Sequence, residues 1–344
     1  MFAASRRFQQ FSASCTPYFF YLSAVNATKT DMSVVPSIVA LVALVVQNTA
    51  LVFAMKLAFR DTANSFRVSA VVLCAEAFKF CVCCAISIFT RKSTGMTFKY
   101  LTQIFDQRMA LPSLLYVVQN NILFVAVRHL TPTVYVACSQ TKVLATVFFS
   151  VTFLNVKLTI RQIVAVFLLT AAMIFLQLPE STPVSDANLV GKNSSQVTGF
   201  AAVFCSSGIS GFASVYMERL LKARDGDFTL FEQNIQLGLF SLPLALLAGL
   251  LQDFQLYKTT GFFHGFDVVI YSVIFLQAVG GLIVAAVVKF ASSIMKCYAI
   301  SASICLVAIV SCSLGIETMS SNALAGICLT VTSVHLFTKR SVSP

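Results

Sequence analysis

Residues 268–288 read VVIYSVIFLQAVGGLIVAAVV and contain no charged side chain, although Asp267 and Lys289 flank them directly. A helix needs about 20 mostly apolar residues to cross the hydrocarbon core of a bilayer. This stretch has that length, and Gly280 and Gly281 at its centre permit close helix contact or a bend. It therefore predicts a membrane-spanning helix.

Similar apolar runs recur along the whole chain. They give ten candidate spans: 36–55, 67–90, 109–128, 131–154, 159–178, 198–220, 231–252, 267–289, 294–315 and 317–337. Of the 344 residues, 58% are hydrophobic and only 11% are charged. Neither a soluble globular enzyme nor a disordered chain could hide that much apolar surface. The sequence thus predicts an all-α integral membrane protein with ten transmembrane helices.

The net charge of +11 is explained by the loops and gives no reason to expect a nucleic-acid partner. When residues at the span ends are counted with the loops that they adjoin, 16 Lys and Arg fall in the two tails and the even-numbered loops, and 6 fall in the odd-numbered loops. Loops on the cytosolic side of a membrane carry the excess of Lys and Arg. We therefore expect both termini in the cytosol.

The centres of the first five spans recur in the last five at an offset of about 160 residues. Because five is odd, the two halves must have opposite orientations, which predicts two inverted five-helix repeats. Many secondary transporters are built in this way, with the substrate site near the midplane between the halves. The predicted parts are an N-terminal cytosolic tail (1–35), a first half (36–178), a luminal linker (179–197), a second half (198–337) and a C-terminal cytosolic tail (338–344).

Two features outside the spans are left open by the sequence. The first 35 residues have Arg6 and Arg7 and no acid before Asp31, a composition that overlaps with organelle transit peptides. The linker contains a glycosylation sequon at Asn193, whose modification depends on its distance from the membrane.

Lys142 lies in the middle of span 4, where a Lys costs about 2.5–3.5 kcal/mol on insertion scales. It should therefore face a watery cavity or a partner. Tyr135 and Ser139 precede it by seven and three residues and share its helix face. An ammonium, a phenol and a hydroxyl along one stripe suit an anionic, hydrogen-bonding ligand. A structural ion pair is the alternative, but only Glu76 and Glu218 lie well inside the spans.

Other polar and small residues inside the spans are predicted to shape the bundle. Glu76 and Lys79 are three residues apart and can pair along one face of span 2. Glu218 and Lys222, at the end of span 6, are interpreted as a solvated ion pair. Asn121, the last of three consecutive amides in span 3, is the candidate to face the cavity. Four glycines are predicted to allow close packing or bending: Gly208 and Gly211 in span 6, and Gly280 and Gly281 in span 8.

No catalytic constellation is visible in the sequence. The three histidines lie at separate span ends, and the P-loop, GxSxG and HExxH motifs are absent. The CxxC at 81–84 has no second Cys or His pair to complete a zinc site. We therefore expect no enzyme activity, no cofactor and no metal.

Several stretches of the chain closely resemble signatures of Golgi nucleotide-sugar transporters. They are PSLLYVVQNN at 112–121, YMERLLK at 216–222, NIQ at 234–236, GFFHGF at 261–266, LQAVGGL at 276–282, VVKF at 287–290 and IMK at 294–296. Their order and spacing match across roughly residues 36–337. The chain is similar to the branch of the drug/metabolite transporter superfamily that holds the UDP-galactose, UDP-N-acetylglucosamine and CMP-sialic acid transporters.

The resemblance implies that a cytosolic nucleotide sugar is exchanged for a luminal nucleoside monophosphate across the Golgi membrane. It implies that Lys142 and Lys289 contact phosphate, and that Asn121 and Tyr135 contact base or ribose. The predicted substrate-binding residues are Asn121, Tyr135, Ser139, Lys142, Asn234 and Lys289.

The chain departs from the family pattern at three positions that put the sugar and base preference in doubt. Ser139, Ser214 and Cys297 stand where family members often have Tyr, Gly and Gly. The LQAVGG stretch looks closer to UDP-sugar transporters, so we expect UDP-N-acetylglucosamine, UDP-N-acetylgalactosamine or UDP-galactose in exchange for UMP.

The alternatives are a CMP-sialic acid/CMP antiporter and a plastid-type phosphate translocator, with the endoplasmic reticulum or a plastid as alternative membranes. Two further classes are a non-transporting family member and a membrane-embedded transferase. Buried lysines without a ligand argue against the first, and the lack of an acid/base pair argues against the second. A homo-oligomer is left open.

Overall fold

The computed structural model describes residues 34–58, 66–90, 107–130, 132–177, 193–223, 229–315 and 319–339. These ranges contain one short 3₁₀ helix (Gln107–Met109), eleven α-helices and no strand. The helices are α1 (Val34–Ala58), α2 (Val68–Thr90), α3 (Ala110–His129), α4 (Pro132–Ser139), α5 (Thr141–Leu154), α6 (Ile160–Gln177), α7 (Asn193–Ala223), α8 (Leu230–Thr260), α9 (Val268–Phe290), α10 (Ser293–Ser313) and α11 (Ser321–Thr338).

Each predicted span corresponds to a helix, with one interruption and two extensions. The span predicted at 131–154 is divided into α4 and α5 by a turn at Gln140. The predicted linker at 179–197 is described only from residue 193, where α7 has already begun. The N-terminal tail up to residue 33, the first part of the linker and residues 340–344 lie outside the described residues.

Nine helices in the described ranges are long and apolar enough to cross a membrane. The helix α3 also has the necessary length, but several of its side chains, including those of Asn120 and Asn121, lie outside the part that the structure describes. The protein is therefore an all-helical, multi-pass membrane protein.

The outer surface of the bundle is apolar, as expected for a surface that contacts lipid. Large side chains such as Phe148, Ile160, Phe167, Leu251 and Val268 are exposed along the helices. Monomeric soluble proteins rarely expose contiguous apolar areas of this kind. In contrast, many Ser, Thr, Gln and Asn side chains are buried between the helices, where small polar residues support close packing.

Helix starts follow local capping rules. Thr229 and Glu232 form a capping box at the start of α8, and the side chains of Asp267, Ser292 and Ser320 each accept a backbone N–H in the first turn of α9, α10 and α11. Because the caps lie between apolar runs, they set where each helix begins.

Most close helix pairs combine a helix before residue 178 with one after residue 193. The helix α6 packs along α11, α3 along α7, α1 along α9 and α10, α2 along α8 and α9, and α5 along α7. This arrangement places α2, α3, α7, α8 and α9 around a shared interior space.

Candidate functional site

A cavity of about 770 Å³ lies between α2, α3, α7, α8 and α9, with α10 contributing one residue to its wall. Its wall includes three cationic and two acidic side chains: Arg67, Lys79, Lys296, Glu76 and Asp253. The rest of the wall is largely apolar. A concave, mostly apolar space of this size with a few polar groups is typical of sites for small molecules.

The two ends of the cavity differ in exposure. At the end where α7 stops and α8 starts, Leu221, Asn234 and Val288 are each at most 3% exposed. At the opposite end, Val68 is 52% exposed and Gln252 is also exposed. From the exposure of these described residues, we call the end next to Leu221 the closed end and the end next to Val68 the open end.

Lys296 contributes a positive charge near the closed end. It lies in the first turn of α10, half-buried, and its Nζ donates a hydrogen bond to Ser214 Oγ on α7. A cation in the first turn of a helix is disfavoured by the helix dipole. This unfavourable location is the sequence signal that could have identified Lys296, which the sequence analysis noted only as part of a motif.

Lys142 lies close enough to Lys296 for their charges to interact. Its side chain is exposed although it is in a membrane-spanning helix, and its neighbour Val143 packs with Ile294 and Cys297 of α10. The two ammonium groups thus come from different, packed helices, and of the two only Lys296 is part of the cavity wall. Such a pair can bind an anion with several acceptor oxygens, such as a phosphate.

The turn between α4 and α5 adds to the positive potential around Lys142. The backbone N–H of Gln140 bonds to Ala137 O at 3.3 Å, and the Thr141 hydroxyl donates to Cys138 O at 2.7 Å. Lys142 is therefore the second residue of a half-helix, and the N-terminus of a half-helix favours anionic groups. Hydropathy does not detect this interruption, because the residues on both sides are apolar.

Lys289, the other predicted phosphate contact, lies in the last turn of α9. It is half-buried and has an interaction partner, and it is not part of the cavity wall described above. A cation in the last turn of a helix is favoured by the helix dipole. Its role in binding stays a prediction.

The remaining predicted binding residues have different surroundings. Asn234 lines the cavity, and its Nδ2 donates to Leu230 O at 2.9 Å. The Tyr135 ring packs against the buried cluster that contains Ala126 and Val203. Ser139 is half-buried and has a partner, whereas the Asn121 side chain lies outside the part that the structure describes.

Glu76 and Lys79 form an ion pair at 2.7 Å on α2, and both side chains line the cavity. The second oxygen of Glu76 accepts a hydrogen bond from Ser241 Oγ of α8 at 2.8 Å. Because Lys79 is buried, the pair neutralises a charge inside the bundle. The pair also connects α2 with α8 along one wall of the cavity.

Three of the four predicted small-residue positions lie at close contacts. A Cβ atom on Gly211 would come within 2.7 Å of the Thr146 backbone nitrogen, and one on Gly280 would meet the Gln47 amide. Gly281 is close to the aliphatic part of Lys79. In contrast, a Cβ atom on Gly208 would meet nothing within 4 Å.

A polar network at the open end was not found from the sequence. The Ser69 hydroxyl donates to the Asp253 carboxylate and lies 2.7 Å from Tyr257 Oη, which joins the start of α2 to the end of α8. Arg67 Nη2 donates to Thr260 Oγ1 at 3.4 Å at the same end. These residues lie at the edges of apolar runs, where polar residues are common, so a hydropathy pattern does not distinguish them from other residues next to loops.

A family model for the nucleotide-sugar transporter matches residues 33–338. The UDP-N-acetylglucosamine/UDP-N-acetylgalactosamine transporter of Caenorhabditis elegans is 34% identical over 300 residues, which cover 83% of this chain and 86% of that protein. The UDP-galactose transporter of Schizosaccharomyces pombe is 35% identical over 317 residues, covering 89% of this chain and 88% of that protein. The UDP-N-acetylglucosamine transporter of Homo sapiens is 32% identical over 280 residues, which cover 78% of this chain and 84% of that protein.

A solved crystal structure aligns with a TM-score of 0.62 at 13% sequence identity, covering 88% of this chain and 98% of that one. At this identity the likeness concerns the fold alone.

Proposed function

Because the chain belongs to the nucleotide-sugar transporter family, we propose that it moves a UDP-sugar from the cytosol into the Golgi lumen in exchange for UMP. The similar proteins are transporters of UDP-N-acetylglucosamine, UDP-N-acetylgalactosamine or UDP-galactose. These three are the proposed substrates, and the proposed location of this multi-pass protein is the Golgi membrane, as the family implies.

The observation that carries the proposal is the location of Lys296 in the cavity wall, on a helix that packs beside Lys142 through Val143, Ile294 and Cys297. A UDP-sugar has a diphosphate and UMP has a phosphate, so both ligands need cationic partners. The two lysines come from different helices and supply compact point charges. Both ligands would use the same pair, as exchange at a single site requires.

The other end of the substrate would lie along the wall formed by α2 and α8. From Asn234, the residues Ser241 and Asp253 follow at about 10 Å and about 28 Å along α8, at 1.5 Å per residue. The hydroxyl, amide and carboxylate groups along this path can bond sugar hydroxyls. The apolar wall of α9, which includes Val284 and Val288, would contact the uncharged faces of the ligand.

We propose that the two halves are inverted repeats that rock against each other during transport. Exchanging α1, α2, α3, α4–α5 and α6 with α7, α8, α9, α10 and α11 maps the main helix pairs onto one another. The exchange turns the pair of α1 and α9 into the pair of α7 and α3. It turns the pair of α1 and α10 into the pair of α7 and the divided helix α4–α5. The pair of α2 and α8 and the pair of α6 and α11 are each turned into themselves. This symmetry supports alternating access around a shared site.

The proposal is tested with purified protein in proteoliposomes. Vesicles are preloaded with UMP, with CMP or with buffer, and labelled UDP-N-acetylglucosamine, UDP-N-acetylgalactosamine, UDP-galactose and CMP-sialic acid are offered outside. We expect uptake of at least one UDP-sugar that rises with internal UMP and not with CMP. Equal uptake with and without internal nucleotide would contradict exchange, and uptake of CMP-sialic acid alone would contradict the uridine assignment.

A further inference from the structure

The end of α7 is attached to the junction between α9 and α10 by a buried carboxylate. Glu218 is only 3% exposed, and one of its oxygens accepts a hydrogen bond from the backbone N–H of Ser293 at 2.7 Å. Its other oxygen accepts from Lys222 Nζ, also at 2.7 Å. The spacing of Glu218 and Lys222 at a span end predicts a solvated pair, but the burial of the carboxylate contradicts that prediction.

The two charges of this pair match the two helix ends that meet at the junction. Ser293 is the first residue of α10, where free N–H groups and the helix dipole favour a negative charge. Lys222 Nζ also donates to Ala291 O at 2.8 Å, immediately after the last turn of α9, where a positive charge is favoured. One ion pair therefore binds the end of α9 and the beginning of α10 together.

The same face of α7 holds Lys296. Ser214 lies one turn before Glu218, its backbone oxygen accepts from Ser293 Oγ at 3.0 Å, and its hydroxyl accepts from Lys296 Nζ. Ser214 and Glu218 on α7 thus contact Ser293 and Lys296 on α10. A shift of α10 along α7 would break these bonds and move the Lys296 ammonium in the cavity.

The helix α10 has its own cap without Glu218. The hydroxyl of Ser292 accepts from the backbone N–H of Met295 at 3.2 Å, which is the usual N-cap bond. Because the Ser292 hydroxyl already caps the helix, starting α10 does not require a carboxylate. Burying a carboxylate is costly unless it is fully paired. What Glu218 adds is a fixed register between α7 and α10.

We infer that Glu218 is a positioning residue, held by Lys222, that fixes the Lys296 ammonium where it binds the phosphate of the nucleotide. This inference rests on the proposed function, because it assigns the phosphate to Lys296. Glu218 itself touches no ligand in this assignment and acts through α10.

The test measures binding of UMP and of uridine to the purified full-length protein, in the wild type and in Glu218→Gln, Lys296→Ala and the double variant. Uridine lacks the phosphate, so it reports the rest of the site. Losing the charge of a buried, charge-assisted contact should weaken UMP binding by about tenfold, while uridine binding is unchanged. In the Lys296→Ala background, Glu218→Gln should have no further effect on UMP.

Asp267→Asn is the matched control, because Asp267 Oδ1 accepts the N–H of Ile270 at the other end of α9. This variant removes a comparable helix-terminal charge far from Lys296 and should bind UMP like the wild type. Glu218→Gln retains a carbonyl acceptor for Ser293, which protects the fold in case Glu218→Ala does not fold.

Two outcomes overturn the inference alone: normal UMP binding by Glu218→Gln, or additive losses in the double variant. Equal weakening of UMP and uridine by Glu218→Gln also overturns it, since a general structural defect would affect both. Normal UMP binding by Lys296→Ala would instead overturn the phosphate site of the proposed function, whatever Glu218 does.

Discussion

Lys142 and Lys296 are cationic side chains on two packed helices, in a protein whose spans contain few charges. Each such group is costly at membrane depth, so a role in binding is the default interpretation of its presence. The buried Lys79 differs, because Glu76 already neutralises it. We therefore distinguish the paired Lys79 from Lys142 and Lys296, for which we propose a role in binding.

We expect Lys142→Ala to lose nearly all transport while the protein stays folded, because the change removes a charge and no buried packing group. Lys142→Arg should restore little transport, since a planar guanidinium presents its donors differently from a compact ammonium. Labelled UDP-sugar uptake into UMP-loaded proteoliposomes, normalised to monodisperse protein, measures both effects.

Lys258→Ala is the control for this pair of variants, because Lys258 is an exposed lysine whose Nζ lies 4.5 Å from the centre of the Phe254 ring. It should transport normally. Normal uptake by well-folded Lys142→Ala would exclude Lys142 from the site, and loss of folding would indicate a structural ion pair.

The sequence identifies Lys142 but not Lys296, for a physical reason. A lysine in the middle of an apolar run is conspicuous, since no snorkelling can carry it to water. Lys296 lies near the edge of its run, where a long side chain can normally reach the interface. Only the packing of α10 against α7 turns it towards the cavity.

At the level of helices, the apolar runs predict the presence of each helix more accurately than the residues at which it begins and ends. Both α7 and α8 have 31 residues, whereas the predicted spans were 198–220 and 231–252. The extra turns are polar, so hydropathy stops before the helix does. These extensions carry Lys222 at one end and Asp253 and Tyr257 at the other, which is why the contacts of the junction and of the open end could not be anticipated.

Gly211 provides a test of helix packing. A Cβ atom there would clash with the backbone of Ala145 and Thr146, so Gly211→Ala should push α7 away from α5. Overpacking of this kind typically costs about 1–3 kcal/mol. The thermal unfolding of the purified variant should therefore shift to a lower temperature, and transport should fall.

Gly208→Ala is the matched control, three residues away on the same helix with open space around it. It should be neutral or slightly stabilising, because alanine favours a helix by about 1 kcal/mol over glycine. If both variants unfold at the same temperature, the close contact between α5 and α7 is not a determinant of stability.

For the molecule as a whole, we expect both termini to face the cytosol. The reason is the excess of Lys and Arg in the tails and even-numbered loops, 16 against 6. Protease added to sealed Golgi vesicles should remove tags from both termini and leave a tag inserted between residues 179 and 192 intact. A protected terminal tag would reverse the assigned orientation.

Hydropathy predicts the membrane class and the approximate spans, but it contains no information on which helix packs against which. Partner choice depends on small contact surfaces such as Gly326 against Ala172 and Leu176, which look like any other apolar residues in the sequence. The cavity arises from these pairings, so its wall could not be derived from the spans alone.

The pairing of α6 with α11 has a consequence for how the protein is made. A Cβ atom on Gly326 would come within 2.8 Å of Ala172 O, and Ser333 Oγ of α11 donates to Ala165 O of α6. At about 5–20 residues per second, the ribosome needs roughly 10–30 s to synthesise the chain between these two helices. During this interval the surface of α6 that contacts α11 is not covered by that helix. A nascent chain that stops before residue 321 lacks α11, so α6 keeps no packing partner on this surface.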